Sequence, residues 1–268
     1  MDSLDTIMKI KQRIHIAPVG FEIDRIVLPA VDYKADKVYL LVHDKKKEDK
    51  AGPYIDSVIK ELKKHKIESE KVLVDWRDVE SITKTARQLL LRLHNNEVFV
   101  NIASGSKNHA IALDRAIMTL DDQEHITQFY AESEAYEGFE PGKQQLSIGV
   151  KEVKEIPKRQ MVLPQDKQFK ALQILYEMSE KRRCTFPCKK HADDNDHKWG
   201  YMTKTQLKNE CVKRGVLVQH SSVLSSLNKL IIEKLITNWN YIKVEKDGTR
   251  YLVSLSTDGM AFMYEMTP

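Results

Sequence analysis

The chain has 268 residues, 41% of them hydrophobic and 31% charged, with a net charge of +4, a length that suits two domains better than one. No apolar run approaches the ~20 residues needed to cross a bilayer, the amino-terminal stretch lacks a signal-peptide core, and three cysteines do not make a disulfide framework; a reducing, cytoplasmic setting without membrane contact is expected. The charge is uneven: residues 1–150 hold 22 Lys+Arg against 25 Asp+Glu, whereas residues 151–268 hold 21 against 14, so a polyanionic partner belongs to the second part, unless the lysines only solvate its surface.

In chain order, residues 14–17 form a short strand, 22–31 a helix and 37–42 a strand of β-favouring residues. Ile55, Val58, Ile59 and Leu62 recur at helical spacing, which predicts a helix over 53–65. Strands at 71–74, 98–102 and 126–130 alternate with helices at 79–94 and 107–120. Strands separated by helices of this length predict an α/β, Rossmann-like, mostly parallel sheet covered on both faces. Residues 131–145 are acidic and carry Gly138, Pro141 and Gly142, the composition of an exposed loop or hairpin. Residues 146–153 read as a further, edge strand. Pro157 and Pro164 interrupt helix and ladder alike and place a linker at 156–165 between domains at 1–155 and 166–268.

The second domain opens with a helix over 168–183, followed by a polar stretch to Trp199. Thr203 is placed to cap a helix that Gly215 ends. A third helix spans 220–235, capped by Ser221 or Ser222. Strands at 236–245 and 250–255 join through Lys246-Asp247-Gly248-Thr249, an Asp-Gly type of hairpin turn. A helix over 256–266 closes the chain. Three helices followed by a β-hairpin are the outline of a C-terminal winged helix-turn-helix domain.

Two turns carry the chemistry of the first domain. In open parallel sheets, ligands gather beyond the carboxyl ends of the strands where strand order reverses. One turn is Val19-Gly20-Phe21 with Arg25 a turn later; the other is Ser104-Gly105-Ser106-Lys107-Asn108. Glycine allows close backbone approach, the amides opening the following helix are unpaired, and Lys107 adds a cation. Phe21 is a candidate to stack on a base, Arg25 to meet phosphate, Ser104 and Ser106 to hold phosphate or ribose oxygens, and Asn108 to read a base edge. Equally, Gly20 serves a plain strand-to-helix turn, Phe21 the core, and Arg25 a pair with Asp24 or Glu22. The GxxxxGK[ST] and GxGxxG spacings are absent, and no cofactor is expected.

The residues His15-Ile16-Ala17-Pro18-Val19-Gly20-Phe21-Glu22, Ala35-Asp36-Lys37-Val38-Tyr39-Leu40-Leu41 and Asn101-Ile102-Ala103-Ser104-Gly105-Ser106-Lys107 resemble archaeal regulators with an N-terminal CARF (CRISPR-associated Rossmann fold) domain and a C-terminal winged helix. The resemblance is strongest over 13–42 and 98–113. It implies a homodimer that senses a nucleotide, typically a cyclic oligoadenylate, across a two-fold axis. By position it implies ligand contacts at Val19, Gly20, Phe21, Arg25, Ser104, Gly105, Ser106, Lys107 and Asn108. Many relatives have Thr-Gly-Gly-Thr-type loops where this chain has Ser-Gly-Ser. Some relatives cleave their own ligand with such Ser and Lys residues; here no base is evident beside Ser104, Ser106 or Lys107, so the expectation is a regulator and not an enzyme.

For double-stranded DNA, the third helix and the turn before it offer Gln219, His220, Ser221, Ser222, Ser225, Ser226, Asn228 and Lys229. The hairpin offers Lys243, Lys246 and Arg250, and the preceding helix Lys204 and Lys208, for backbone phosphates. A winged domain also serves as a protein-docking module. Cys184, Cys188, His191 and His197 supply four zinc-type ligands within 14 residues, but the spacing fits no common zinc signature, and an exposed polar loop is the expectation.

Overall fold

The computed structural model describes residues 11–45, 49–136, 144–181 and 200–267. The chain divides into two compact units, Met1–Met161 and Val162–Pro268, so the division falls inside the 156–165 stretch.

The first unit alternates strand and helix. Its elements are β1 (Arg13–Pro18), α1 (Asp24–Asp32), β2 (Lys37–His43), α2 (Gly52–Lys64), β3 (Glu68–Val74), α3 (Val79–Arg92), β4 (Glu97–Asn101), α4 (Lys107–Met118) and β5 (Ile126–Glu132). The sheet order is β3-β2-β1-β4-β5-β8, with β8 (Glu152–Glu155) antiparallel to β5 and every other pairing parallel. The expected 146–153 edge strand is therefore displaced. Ser147–Ile148 (β7) pairs instead with Ala135–Tyr136 (β6), and the edge begins at Glu152. Polar Gln145 and Ser147 are drawn onto the start of α1, which takes this segment out of the sheet.

β1 is buried from Ile14 to Pro18 because helices cover both faces of the sheet. Ile14, Ile16, Val98 and Val100 face α3 and α4. Ala17, Val38, Leu40 and Val42 face α1 and α2. Strand order reverses between β1 and β4, which brings the carboxyl ends of these two strands together.

The second unit holds α5 (Asp166–Lys181), β9 (Met202–Thr203), α6 (Lys204–Lys213), α7 (Val223–Leu227), a π-helical turn (Asn228–Ile232), α8 (Glu233–Thr237), β10 (Ile242–Asp247), β11 (Arg250–Leu255) and α9 (Thr257–Met266). Two expectations are corrected. The segment 236–241 does not begin a strand: α8 runs to Thr237 and β10 starts at Ile242. The turn is Gly248-Thr249 alone, since Asp247 pairs with Arg250 and Gly248 takes a φ of 59°. β9, too short to be legible, adds a third strand beside β11.

The π-turn has a cause in the sequence. Val223, Leu227, Ile231 and Leu235 are all buried and lie four residues apart. A regular helix advances 400° over four residues, so this stripe would drift ~40° per step. Widening one turn to i→i+5 brings the stripe back onto the core.

His15 lies in the first unit's sheet, 2% exposed, stacked on Phe99 at 5.0 Å and flanked by Phe129 and Tyr33. Its Nε2 meets no partner among the described residues. Burial lowers its pKa to about 4. The unfolded chain, with a histidine pKa near 6.5, binds the proton more readily, so stability is full above pH 6.5 and falls as the pH drops toward 4, by up to ~3 kcal/mol for this residue. His15→Phe should flatten that acid limb and raise the midpoint in chemical denaturation at pH 5; an unchanged slope between pH 6.5 and 4.5 would show that His15 is not its source.

Candidate functional site

The bend after β1 and the bend after β4 meet at the strand-order reversal. A Cβ added to Gly20 would stand 3.0 Å from Gly105 Cα. A Cβ on Gly105 would stand 2.7 Å from Pro18 Cβ, and Gly105 already has a φ of 75°. Gly20 is thus required by the backbone of the second bend, and Gly105 by the Pro18 ring and by its own left-handed conformation. Ser104 Oγ donates to Pro18 O at 2.7 Å and fastens the two bends together. Asn101 Nδ2 donates to Arg25 O at 2.7 Å, and Asn101 Oδ1 accepts from Ala103 N, so the end of β4 also orients both turns.

The first bend is braced from inside. Val19 is buried in the core, and its N–H donates to Leu41 O. Phe21 lies edge-on to Tyr54, with ring centres 5.5 Å apart, and packs against the same core. Arg25, expected to meet phosphate, is only 4% exposed. Its Nη1 donates to both carboxylate oxygens of Glu22, at 3.0 and 3.1 Å, and its Nε to Ala131 O at 2.8 Å. Burial disfavours its charge, but Glu22 and, behind it, Tyr130 together outweigh that cost and hold the guanidinium pKa above its ordinary value. The Arg25–Glu22 pairing that the sequence left open is the one the structure makes.

The start of α1 is closed as well. Gln145 Oε1 accepts from the amides of Ile23 and Asp24 at 2.9 and 3.0 Å, the place an anion would take. Its Nε2 donates to Asp24 Oδ2, and Leu146 N donates to Phe21 O. Sequence reasoning missed Gln145 because its cap acts from more than 120 residues away.

The second bend is open. Gly105 and Lys107 are exposed, and Ser106 and Asn108 are half-buried. Lys107 and Asn108 open α4, where no preceding turn supplies carbonyls to their amides. Lys107 has no ion-pair partner among the described residues. Ser106 caps α4, and His109, three residues on, completes a capping box by returning to the Ser106 backbone N–H. Asn108 Nδ2 donates to Trp76 O at 3.1 Å. The second bend therefore presents helix-start amides, one lysine, one serine oxygen and exposed glycine backbone, groups chemically able to meet an anion.

In the second unit, Gln219, His220, Ser221, Ser222 and Ser225 are exposed, as is Lys229; Ser226 and Asn228 are half-buried. His220 lies in the turn before α7, its Nδ1 accepting from Ser222 N. Lys246 and Arg250 are exposed at the hairpin, while Lys204, Lys208 and Lys243 are half-buried. Lys204 Nζ stands over the ring of Tyr251, 4.8 Å from its centre, which ties the start of α6 to β11. Leu224 and Leu230, whose spacing with Val223, Leu227 and Ile231 predicts an inward position, are exposed instead. Cys184, Cys188, His191 and His197 lie outside the described residues; among the described ones no cluster could hold a metal, and no helix is long and apolar enough to cross a membrane.

A family model described as HFX_2341_N-like, N-terminal, matches residues 13–136. An uncharacterized protein of Methanocaldococcus jannaschii is 28% identical over 128 residues, 46% of this chain, and the match covers only 38% of that relative. Among solved structures, Enterococcus italicus Csm6 bound to cyclic hexa-2'-fluoro-hexa-dAMP is similar at 9% identity and a TM-score of 0.41, over 86% of this chain and 56% of its own. Can2 from Sulfobacillus thermosulfidooxidans in complex with cyclic tetra-adenylate is similar at 11% identity and a TM-score of 0.38, over 94% of this chain and 63% of its own.

Replacing Gly105 by alanine should cost about 2–4 kcal/mol, from left-handed strain and the overlap with Pro18. Denaturant unfolding of the variant measures it; a cost below about 0.5 kcal/mol would mean that the bends are not in contact.

Proposed function

We propose that the chain is a ligand-responsive, DNA-binding transcriptional regulator. Its first unit senses a nucleotide-type effector, and its second unit binds double-stranded DNA. The observation that carries this is the meeting of two glycine bends at the strand-order reversal, where the exposed Lys107 and the opening amides of α4 form an anion seat. The resemblance of residues 13–42 and 98–113 to CARF regulators supplies the effector class, a cyclic oligoadenylate, and a homodimer with the ligand across its two-fold axis. Of the residues expected to bind, this reading assigns Gly20, Gly105, Ser106, Lys107 and Asn108 to the ligand, and Ser104, Val19, Phe21 and Arg25 to holding the bends in shape.

For the second unit, support comes from the order of three helical segments and a hairpin, the +7 balance of residues 151–268, and the exposed serines, Gln219 and Lys229 near α7. Such a face suits a DNA groove, with Lys246 and Arg250 at the neighbouring phosphates. Two copies related by a two-fold axis match palindromic half-sites. The effector acts by favouring one arrangement of the two DNA-binding units, and no chemical step is required of the protein.

The test is DNA binding of the full chain to fragments of its own genome, with and without cyclic tetra-adenylate. Affinity should fall steeply with salt and change roughly 5–150-fold on adding effector. Lys107→Ala should leave basal DNA binding intact and weaken the response to effector at least about tenfold. No DNA binding at any salt would overturn the regulator reading, and a full response in Lys107→Ala would overturn the placement of the seat.

A further inference from the structure

Residues 211–232 contain no Asp or Glu, and they run from the end of α6 through the turn into α7 and the π-turn. A stretch free of carboxylates, with Lys229 exposed along it, approaches a phosphate backbone without like-charge repulsion. Within it two large apolar side chains are uncovered: Val218, 79% exposed in the turn, and Leu224, 45% exposed at the second position of α7. Val223 and Leu227 hold α7 to the core. Leu224 lies ~100° round the helix from Val223, next to the exposed Ser225 and on the side of Asn228, one turn on.

The polar residues of this helix start do not by themselves name a base. A serine hydroxyl both donates and accepts, so Ser221, Ser222 and Ser225 can meet either member of any base pair. Asn228 Oδ1 is buried and meets no partner among the described residues, so it is withheld from the two-bond contact by which an asparagine selects adenine. His220 Nδ1 accepts from Ser222 N, and Gln219 precedes the helix, in the turn. The selective group that the helix itself offers is the Leu224 side chain. Among the four bases, thymine alone presents a methyl group in the major groove.

We infer that Leu224 is a specificity-determining residue of the DNA-binding unit: its exposed side chain packs against the C5-methyl group of a thymine and so selects thymine at one position of each half-site. This rests on the regulator reading above. Lys246 and Arg250, at the phosphates, position the unit and carry no sequence information. The serines add contacts to any base edge. Leu224 discriminates, because cytosine at the same position would turn its amino group toward an apolar side chain and lose a hydrogen bond to water.

The experiment uses the full chain and the duplex that the wild type selects as its best binder from a randomised pool. Each thymine in turn, together with its two-fold mate, is replaced by deoxyuridine, which pairs identically and lacks only the methyl group. Affinity is measured at one fixed salt concentration. For the wild type, one thymine position should matter: the lost methyl contact costs about fourfold at each half-site, hence roughly fifteenfold for the pair. Leu224→Ala should bind the thymine and uracil duplexes alike, with thermal unfolding as the check on folding. Should Leu224→Ala not fold, Leu224→Gln, which keeps the length of the side chain and loses the apolar contact, takes its place. Equal wild-type affinity at every position overturns the inference and leaves the regulator reading standing, as does a selected site with no fixed thymine or a full methyl penalty retained in the Leu224 variant. A wild type that binds no duplex removes both, and leaves the Leu224 face to a protein partner.

Discussion

The contact between the Gly20 and Gly105 backbones is the constraint on which the first unit depends. It exists because strand order reverses between β1 and β4, which leaves their two following bends side by side with nothing between them. Any side chain at either glycine would force the bends apart. Ser104 and Asn101 then lock what the glycines permit, each through a bond to the other bend's backbone. The open backbone beside Lys107 follows from this close approach.

The two bends are not equivalent, although in sequence they look alike. The first is filled: Val19 and Phe21 enter the core, Arg25 is held by Glu22, and Gln145 occupies the start of α1. The second stays open, with its lysine and helix-start amides toward solvent. A charged residue one turn into a helix does not announce whether it faces a ligand or a neighbouring carboxylate. The glutamate three residues before Arg25 competes at short range and prevails, because a buried guanidinium without a partner is far more costly than an exposed one.

Much of the architecture was legible because it rests on local pattern. The alternation of β-favouring runs with helix-period segments located β1, β2, β4, β5 and the helices between them, with boundaries shifted by a residue or two at most places. What escaped depends on distant partners. Gln145 and Ser147 leave the sheet for the start of α1, so the edge strand forms later than its apolar residues suggested. β9 has two residues and no pattern to read. The π-turn was visible only as a four-residue spacing of Val223, Leu227, Ile231 and Leu235, ordinary for a helix until all four prove to share one buried face. His109 was missed because a histidine at the third position of a helix signals nothing unless its ring is known to reach back to the cap.

The central claim is that a phosphorylated ligand sits on the second bend, against the first. Amide hydrogen exchange of the full chain, with and without cyclic tetra-adenylate, tests it most directly. The account predicts slowed exchange concentrated at residues 104–109, with a smaller effect at 19–23. Protection confined to residues 162–267, or none anywhere at saturating ligand, would contradict it.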